Sequence, residues 1–311
     1  MTFAHTSDYT LICRGVAQTA SAPRLGRGGR RFKSAHPDLS MNGKANDSLY
    51  QRSPCHFFGH GSELCIKGES LSKPFLSIVI PAHNEAERLP PSLEKIDAFL
   101  KTQAYTAEVV VVENGSSDET LEIARSFIDC MPYLHVFHEE ERGKGLAVKR
   151  GMLEAIGEYR FLCDADLSMP IEQVNRFLPP ALEPVDVAIG SREVTGAKRY
   201  NEPFYRHWIG RVFNTMVRWM VLPRLQDTQC GFKCFRAEVA DAVFPLQSLV
   251  GMSFDAEVLF IARKMGFNVQ EVAIDWYFNP DSRVRLVQDS MRMAFDLMAI
   301  RQNAAKGLYD A

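Results

Sequence analysis

The stretch Tyr159-Arg160-Phe161-Leu162-Cys163-Asp164-Ala165-Asp166-Leu167-Ser168 decides how this chain is read. Its first half is a short apolar run with aromatic residues, the pattern of a buried strand. Two carboxylates one residue apart follow where that strand should end. On extended backbone, side chains at i and i+2 point to the same side. Asp164 and Asp166 are therefore expected to face one hard cation such as Mg²⁺, which is commonly held by one or two carboxylates plus substrate phosphates. A solvated turn explains the same residues, because Asp is frequent after strands. The rest of the chain has to decide.

Working outward, residues 76–81 form a β-branched run that Pro81 stops, and residues 108–112 form a second apolar run. Shorter strands are expected over residues 134–137 and 185–190. Helical spacing of apolar residues falls between them, over residues 86–101, 118–128, 145–156 and 171–181. Strand and helix thus alternate, and the near-continuous apolar strands predict a mostly parallel sheet sandwiched by helices. In such sheets ligands bind outside the carboxyl ends of the strands. The tips at residues 81–85, 113–118 and 164–168 should open onto one crevice, which raises the Asp pair above the solvated-turn reading. Beyond residue 191 the pattern changes. A basic amphipathic helix is expected over residues 203–222, strands over 229–235 and 269–276, and helices over 253–265 and 283–302.

Length and composition set bounds. The 311 residues suit one large or two ordinary domains, and 46% hydrophobic content suits a globular core. A net charge of −2 argues against a general nucleic-acid binder. Residues 1–73 are net basic, rich in Gly, Ser, Arg and Pro and without sustained period. They are expected to be a disordered tail outside a fold spanning residues 74–311. Seven cysteines without CxxC spacing predict reduced thiols of a cytosolic protein and no zinc site. No apolar run approaches the roughly 18–20 residues of a membrane span, and no secretory signal is expected.

Seven segments, in order, carry a resemblance. "SIVIPAHNE" ends the first strand and "VVVVENGSSDET" the second. "RGKGLAVKRGM" enters the third helix, and "FLCDADLS" and "AIGSRE" follow. "DTQCGFKCFR" and "MSFDAEVLFIARKMGFNVQEVAIDW" extend the series, with a Ser-Arg at Ser282-Arg283. Together they resemble family-two glycosyltransferases of the GT-A fold, in particular dolichyl-phosphate beta-glucosyltransferases and bacterial polyprenyl-phosphate relatives. The resemblance covers residues 75–301. It implies a nucleotide-sugar half over residues 74–190 and a membrane-facing acceptor half over residues 191–311. It also implies inverting transfer of a hexose, glucose from UDP-glucose, to a polyprenyl or dolichyl phosphate.

By the same resemblance, Mg²⁺ or Mn²⁺ is bound directly by Asp166. Asp164 contacts ribose or metal, and Ser168 stands where mannosyl-transferring relatives carry Gln. Pro81, Ala82, Asn84 and Glu85 would hold base and ribose, although Glu85 equally suits a helix N-terminus. Glu113 would accept the imide proton of uracil, or is a surface acid on a loop. Glu113-Asn114 replaces the Asp-Asp pair usual at that strand end. Lys144, in a Gly-flanked basic turn before a helix, suits a phosphate or nucleotide. Arg192, Arg206 and Arg283 are candidates for the acceptor phosphate, because guanidinium binds phosphate in a bidentate fork. Asp227 would orient the acceptor, or act as base for a hydroxyl acceptor. The amphipathic helix suits a membrane interface or a second core layer equally on pattern; a lipid acceptor favours a peripheral position on the cytoplasmic face. Two rivals remain: a family-two transferase using a glycan or small-molecule hydroxyl, and a non-catalytic nucleotide-binding protein.

Overall fold

The computed structural model of the chain describes residues 73–280 and 286–310; the side chains of residues 205, 206, 209, 213 and 286–291 stand outside that description. The tail expected over residues 1–73 lies outside it except for Lys73. Nine strands are described: β1 (Leu76–Ala82), β2 (Ala107–Asn114), β3 (Leu134–Glu139), β4 (Tyr159–Leu162), β5 (Val187–Ser191), β6 (Lys198–Tyr200), β7 (Lys233–Arg236), β8 (Val269–Ala273) and β9 (Asp275–Tyr277). The α-helices are α1 (Leu89–Leu100), α2 (Thr120–Ser126), α3 (Lys144–Glu154), α4 (Phe204–Met220), α5 (Ala237–Val243), α6 (Phe254–Lys264) and α7 (Leu286–Ala305).

The β-branched runs become central strands because both their faces are covered. Ile78 and Ile80 of β1, with Val109 and Val111 of β2, pack with Leu89, Leu93 and Ile96 of α1. The intervening Val79, Val110 and Val112 pack on the other face with Ala147, Val148 and Met152 of α3. This is the two-residue period of a strand feeding two cores at once. Helix α1 opens on Leu89-Pro90-Pro91, where proline costs nothing because first-turn N–H groups have no helical partner.

Seven strands form one sheet in the order β3-β2-β1-β4-β7-β5-β8. The expectation of a mostly parallel sheet holds, with one insertion: β7 pairs antiparallel with both β4 and β5. The chain leaves β5 at the tip edge, runs through β6 and α4, and re-enters at that same edge. It can only run backwards through the gap. Strand order reverses between β1 and β4, so the crevice expected of such sheets lies beyond their carboxyl ends.

Some local expectations are corrected. Residues 171–181 are not an α-helix; a 3₁₀ helix covers Ile171–Phe177, between Pro170 and the Pro179-Pro180 pair that cannot continue it. The single strand expected over residues 269–276 splits into β8 and β9, the latter pairing with β6 in a separate two-stranded sheet. Cys163, Cys230 and Cys234 are free and buried as expected, whereas Cys130 is disulfide-bonded. Among the described residues, no helix is long and apolar enough to cross a membrane.

Candidate active site

Asp164 and Asp166 do lie beyond the tip of β4, but extended backbone is not what aligns them. The strand ends at Leu162, and the Leu167 amide donates to the Asp164 carbonyl at 3.2 Å, closing a turn. Leu167 takes φ +46°, rare for a branched residue and held by its surroundings. Ser92 of α1 donates to the Ala165 carbonyl at 2.7 Å, and the Tyr277 amide to the Ser168 carbonyl at 2.8 Å. Asp166 accepts the Ser168 amide at 3.0 Å.

Lys144, at the start of α3, meets Asp164 at 2.7 Å, with the side chains 24% and 30% exposed respectively. Burial pulls the Asp164 carboxyl up, but the Lys144 ammonium, with Lys233 and Arg192 further off, outweighs it and holds the group below its ordinary value. Gly231 closes the other side. A Cβ there would stand 1.8 Å from Asp164 Oδ2, so any other residue would push the carboxylate from this position. Beneath, the wholly buried Lys233 bonds Asp255 at 2.5 Å and the Cys230 carbonyl. Burial raises the Asp255 carboxyl, against the pull of Lys233.

The donor set for a cation is two carboxylates and one hydroxyl on a single turn, all oxygen, which fits Mg²⁺ or Mn²⁺. Among the described residues, no group of three or more His, Cys, Asp and Glu could hold a metal. A cation at Asp164 and Asp166 therefore needs further oxygens, such as those of a diphosphate.

Around the tip of β1 the expected ligands have other engagements. Asn84 takes φ +54°; its Oδ1 accepts the Ser117 amide at 2.7 Å, and its own amide donates to Ser116 Oγ at 2.9 Å. Arg88 donates to both oxygens of Glu85, at 2.6 and 2.7 Å. Pro81 and Ala82 are buried within β1, in register with Val112 and Glu113. Glu113 is buried, accepting the Ser116 amide at 2.5 Å and meeting His138 Nδ1 at 2.5 Å. It is not a surface acid; it locks the β2 loop. The Gly145 amide, in the turn that carries Lys144, donates to the Val250 carbonyl at 2.9 Å.

On the acceptor side, Arg192 and Asp227 hold each other. Nε and Nη2 of Arg192 donate to Asp227 at 2.6 and 2.9 Å, and the Arg192 amide adds a third bond at 3.0 Å. The Asp227 side chain is 0% exposed. Burial alone would raise its carboxyl, but Arg192 pulls it down to about 2. A carboxylate so held is ionised at neutral pH, a weak base with its oxygens spent on Arg192. The guanidinium also lies over the Trp276 ring at 5.3 Å. Arg206 belongs to α4 but its side chain is outside the description, as is Arg283 altogether.

Reading the sequence missed Gly231 as a site-shaping residue. It had a signal, a glycine just before a strand, which marks close backbone approach.

A family model described as Glycosyl transferase family 2 matches residues 77–244. The chain is 31% identical over 249 residues to a dolichyl-phosphate beta-glucosyltransferase of Dictyostelium discoideum, covering 76% of each protein. It is 31% identical over 258 residues to the Saccharomyces cerevisiae protein of the same name, again covering 76% of each. The human protein so named is 28% identical over 251 residues, covering 75% of this chain and 77% of that one. Among solved structures, mannosyl-3-phosphoglycerate synthase from Rubrobacter xylanophilus shares the α/β fold at TM-score 0.55 and 18% identity, over 76% of each chain.

Proposed function

The chain belongs to glycosyl transferase family 2, and from that premise we propose that it moves glucose from UDP-glucose to a polyprenyl phosphate of the dolichyl class, inverting C1. The carrying observation is the Asp164–Asp166 turn, half-open at the strand-order reversal, with Lys144 beside it and Gly231 bare above it.

Asp166, aided by Asp164 and Ser168, would hold Mg²⁺ or Mn²⁺. A divalent ion there offsets the charge that builds on a departing diphosphate. Lys144 supplies a second cation for the same diphosphate. Base and ribose lie along the Pro81–Ala82 tip and the Asn84–Glu85 turn, whose shape is fixed by Ser116, Ser117 and Arg88 rather than by free carboxylates. A phosphate oxygen of the acceptor attacks C1 in line, and the C1–O bond to UDP breaks with its electrons leaving on UDP. A lipid phosphate is already an anion, so no general base is required. The sealed Asp227 supports that chemistry over a hydroxyl acceptor, for which it would be a weak base.

Arg206, on α4, is assigned to the acceptor phosphate; Arg192 is braced by Asp227. Residues 74–190 supply the donor site and residues 191–311 the acceptor side. Helix α4 exposes Phe204, Trp208, Val212 and Trp219 within one arc, Trp219 to 87%. With Arg211 along it, that stripe supports a peripheral position at the interface of a membrane carrying the lipid, which we assign to the cytoplasmic face.

The test is transfer by purified protein, with Mn²⁺ or Mg²⁺, from a panel of nucleotide-sugars to polyprenyl phosphate or to sugar alcohols. Glucosyl phosphoryl lipid from UDP-glucose is expected. Product on neutral hydroxyls alone, or no transfer with any donor, overturns the reading.

A further inference from the structure

The donor site rests on a bonded path that begins at the far end of the chain. Glu257 of α6 is 0% exposed and lies outside the donor site. Four donors converge on its carboxylate. Oε1 accepts Ser248 Oγ at 2.5 Å and the Tyr309 hydroxyl at 2.6 Å; Oε2 accepts the amides of Ser248 at 3.0 Å and Leu249 at 2.7 Å. Asn303 of α7 donates to Ser248 Oγ at 3.2 Å and Tyr309 OH at 3.3 Å, closing the network.

The segment so pinned, residues 247–250, is the bed of the α3 N-terminus. The Gly145 amide donates to the Val250 carbonyl, and Gln247 Nε2 donates to the Gly145 carbonyl at 2.8 Å. The approach is close enough that a Cβ on Gly143 or Gly145 would lie 2.6 Å from the Val250 oxygen or 2.5 Å from the Leu249 oxygen. Lys144 sits between those two glycines, and its ammonium meets Asp164. A shift of residues 247–250 is therefore passed to Lys144 through backbone contacts with little slack.

We infer that Glu257, clamped by Tyr309, is a positioning residue that sets Lys144 for the donor diphosphate. The proposal rests on the donor reading of Lys144 given above. A burial role alone would not require that the Gly145 amide and diphosphate affinity respond together.

The experiment uses the full chain with Tyr309→Phe, which deletes one hydroxyl, and Glu257→Gln as the stronger change. Amide exchange at Gly145 is measured, and UDP affinity is measured calorimetrically with Mn²⁺, neither needing turnover. Tyr309→Phe should speed Gly145 exchange several-fold and weaken UDP about fivefold, leaving the KM for polyprenyl phosphate within about twofold. In a Lys144→Ala background the same change should add almost nothing, since residues acting through one another are not additive. Unaltered Gly145 exchange in both variants breaks the path. Faster exchange with unchanged UDP affinity, or full additivity with Lys144→Ala, makes Glu257 merely structural. A wild type that binds UDP but transfers no sugar defeats the activity reading and leaves these measurements to judge the path.

Discussion

Two Asp–cation pairs flank β7, one toward β4 and one toward β5, and they differ in what they leave open. Lys144 and Asp164 meet at 2.7 Å through single atoms, each side chain about a quarter exposed or more. Arg192 and Asp227 meet through a fork plus a backbone amide, with the carboxylate at 0% exposure. The first pair can exchange partners with an incoming ligand at small cost, since both groups keep contact with water. The second cannot, because undoing it strands a buried charge. Ion-pair geometry, more than residue identity, thus separates a binding group from a strut.

The strongest way to break this contrast is Asp166→Ala. Transfer should fall by roughly a thousandfold or more, as when preorganised stabilisation of a leaving group is lost. Melting temperature should hold, and near-normal turnover with metal present would remove Asp166 from the site. Gly231→Ala tests the open pair sterically. The added methyl has no room beside Asp164 Oδ2, so turnover should drop by about a hundredfold, with UDP affinity falling alongside. Unchanged UDP affinity in that variant would mean that the Asp164 carboxylate does not serve the donor.

Asp227→Asn tests the strut. It should cost about 3 kcal/mol of stability by leaving Arg192 unpaired, seen as a lower denaturation midpoint. Its pH signature has a definite sign. The folded carboxyl lies at about 2, below the roughly 3.9 of an unfolded Asp. Its stabilisation, about 2 to 3 kcal/mol, is therefore present above pH ~4 and lost as pH falls toward ~2. The Asn variant should lack that acid limb. The smallest effect is expected from deleting residues 1–72, outside both pairs. Turnover should stay nearly unchanged, and a truncated chain that fails to fold would show that the tail belongs to the domain.

The sequence announced the helix-covered sheet because β1 and β2 are apolar on both faces, a pattern few other arrangements require. It also announced the Asp164–Asp166 turn, since three strand tips carried polar motifs in order. Partnership inside the site was not legible. Nothing local tells that His138 takes Glu113 or that Asp227 spends its oxygens on Arg192. Those pairings join residues 25 and 35 positions apart, and are set only when the strands register. The antiparallel course of β7 was hidden too, because a strand of four residues reads alike in either direction.

The backward course of β7 also bears on synthesis. Tyr159 pairs with Arg236 across 77 positions, with Phe161 opposite Cys234. Until those residues leave the ribosome, β4 keeps a bare, apolar edge, and Asp164 lacks the Gly231 wall and the Lys233 charge beneath it. The motif-bearing first half is thus not a unit that ripens alone. Loop closure over such distances is slow and entropically unfavourable, so a nascent chain arrested before β7 should be the form most in need of a chaperone.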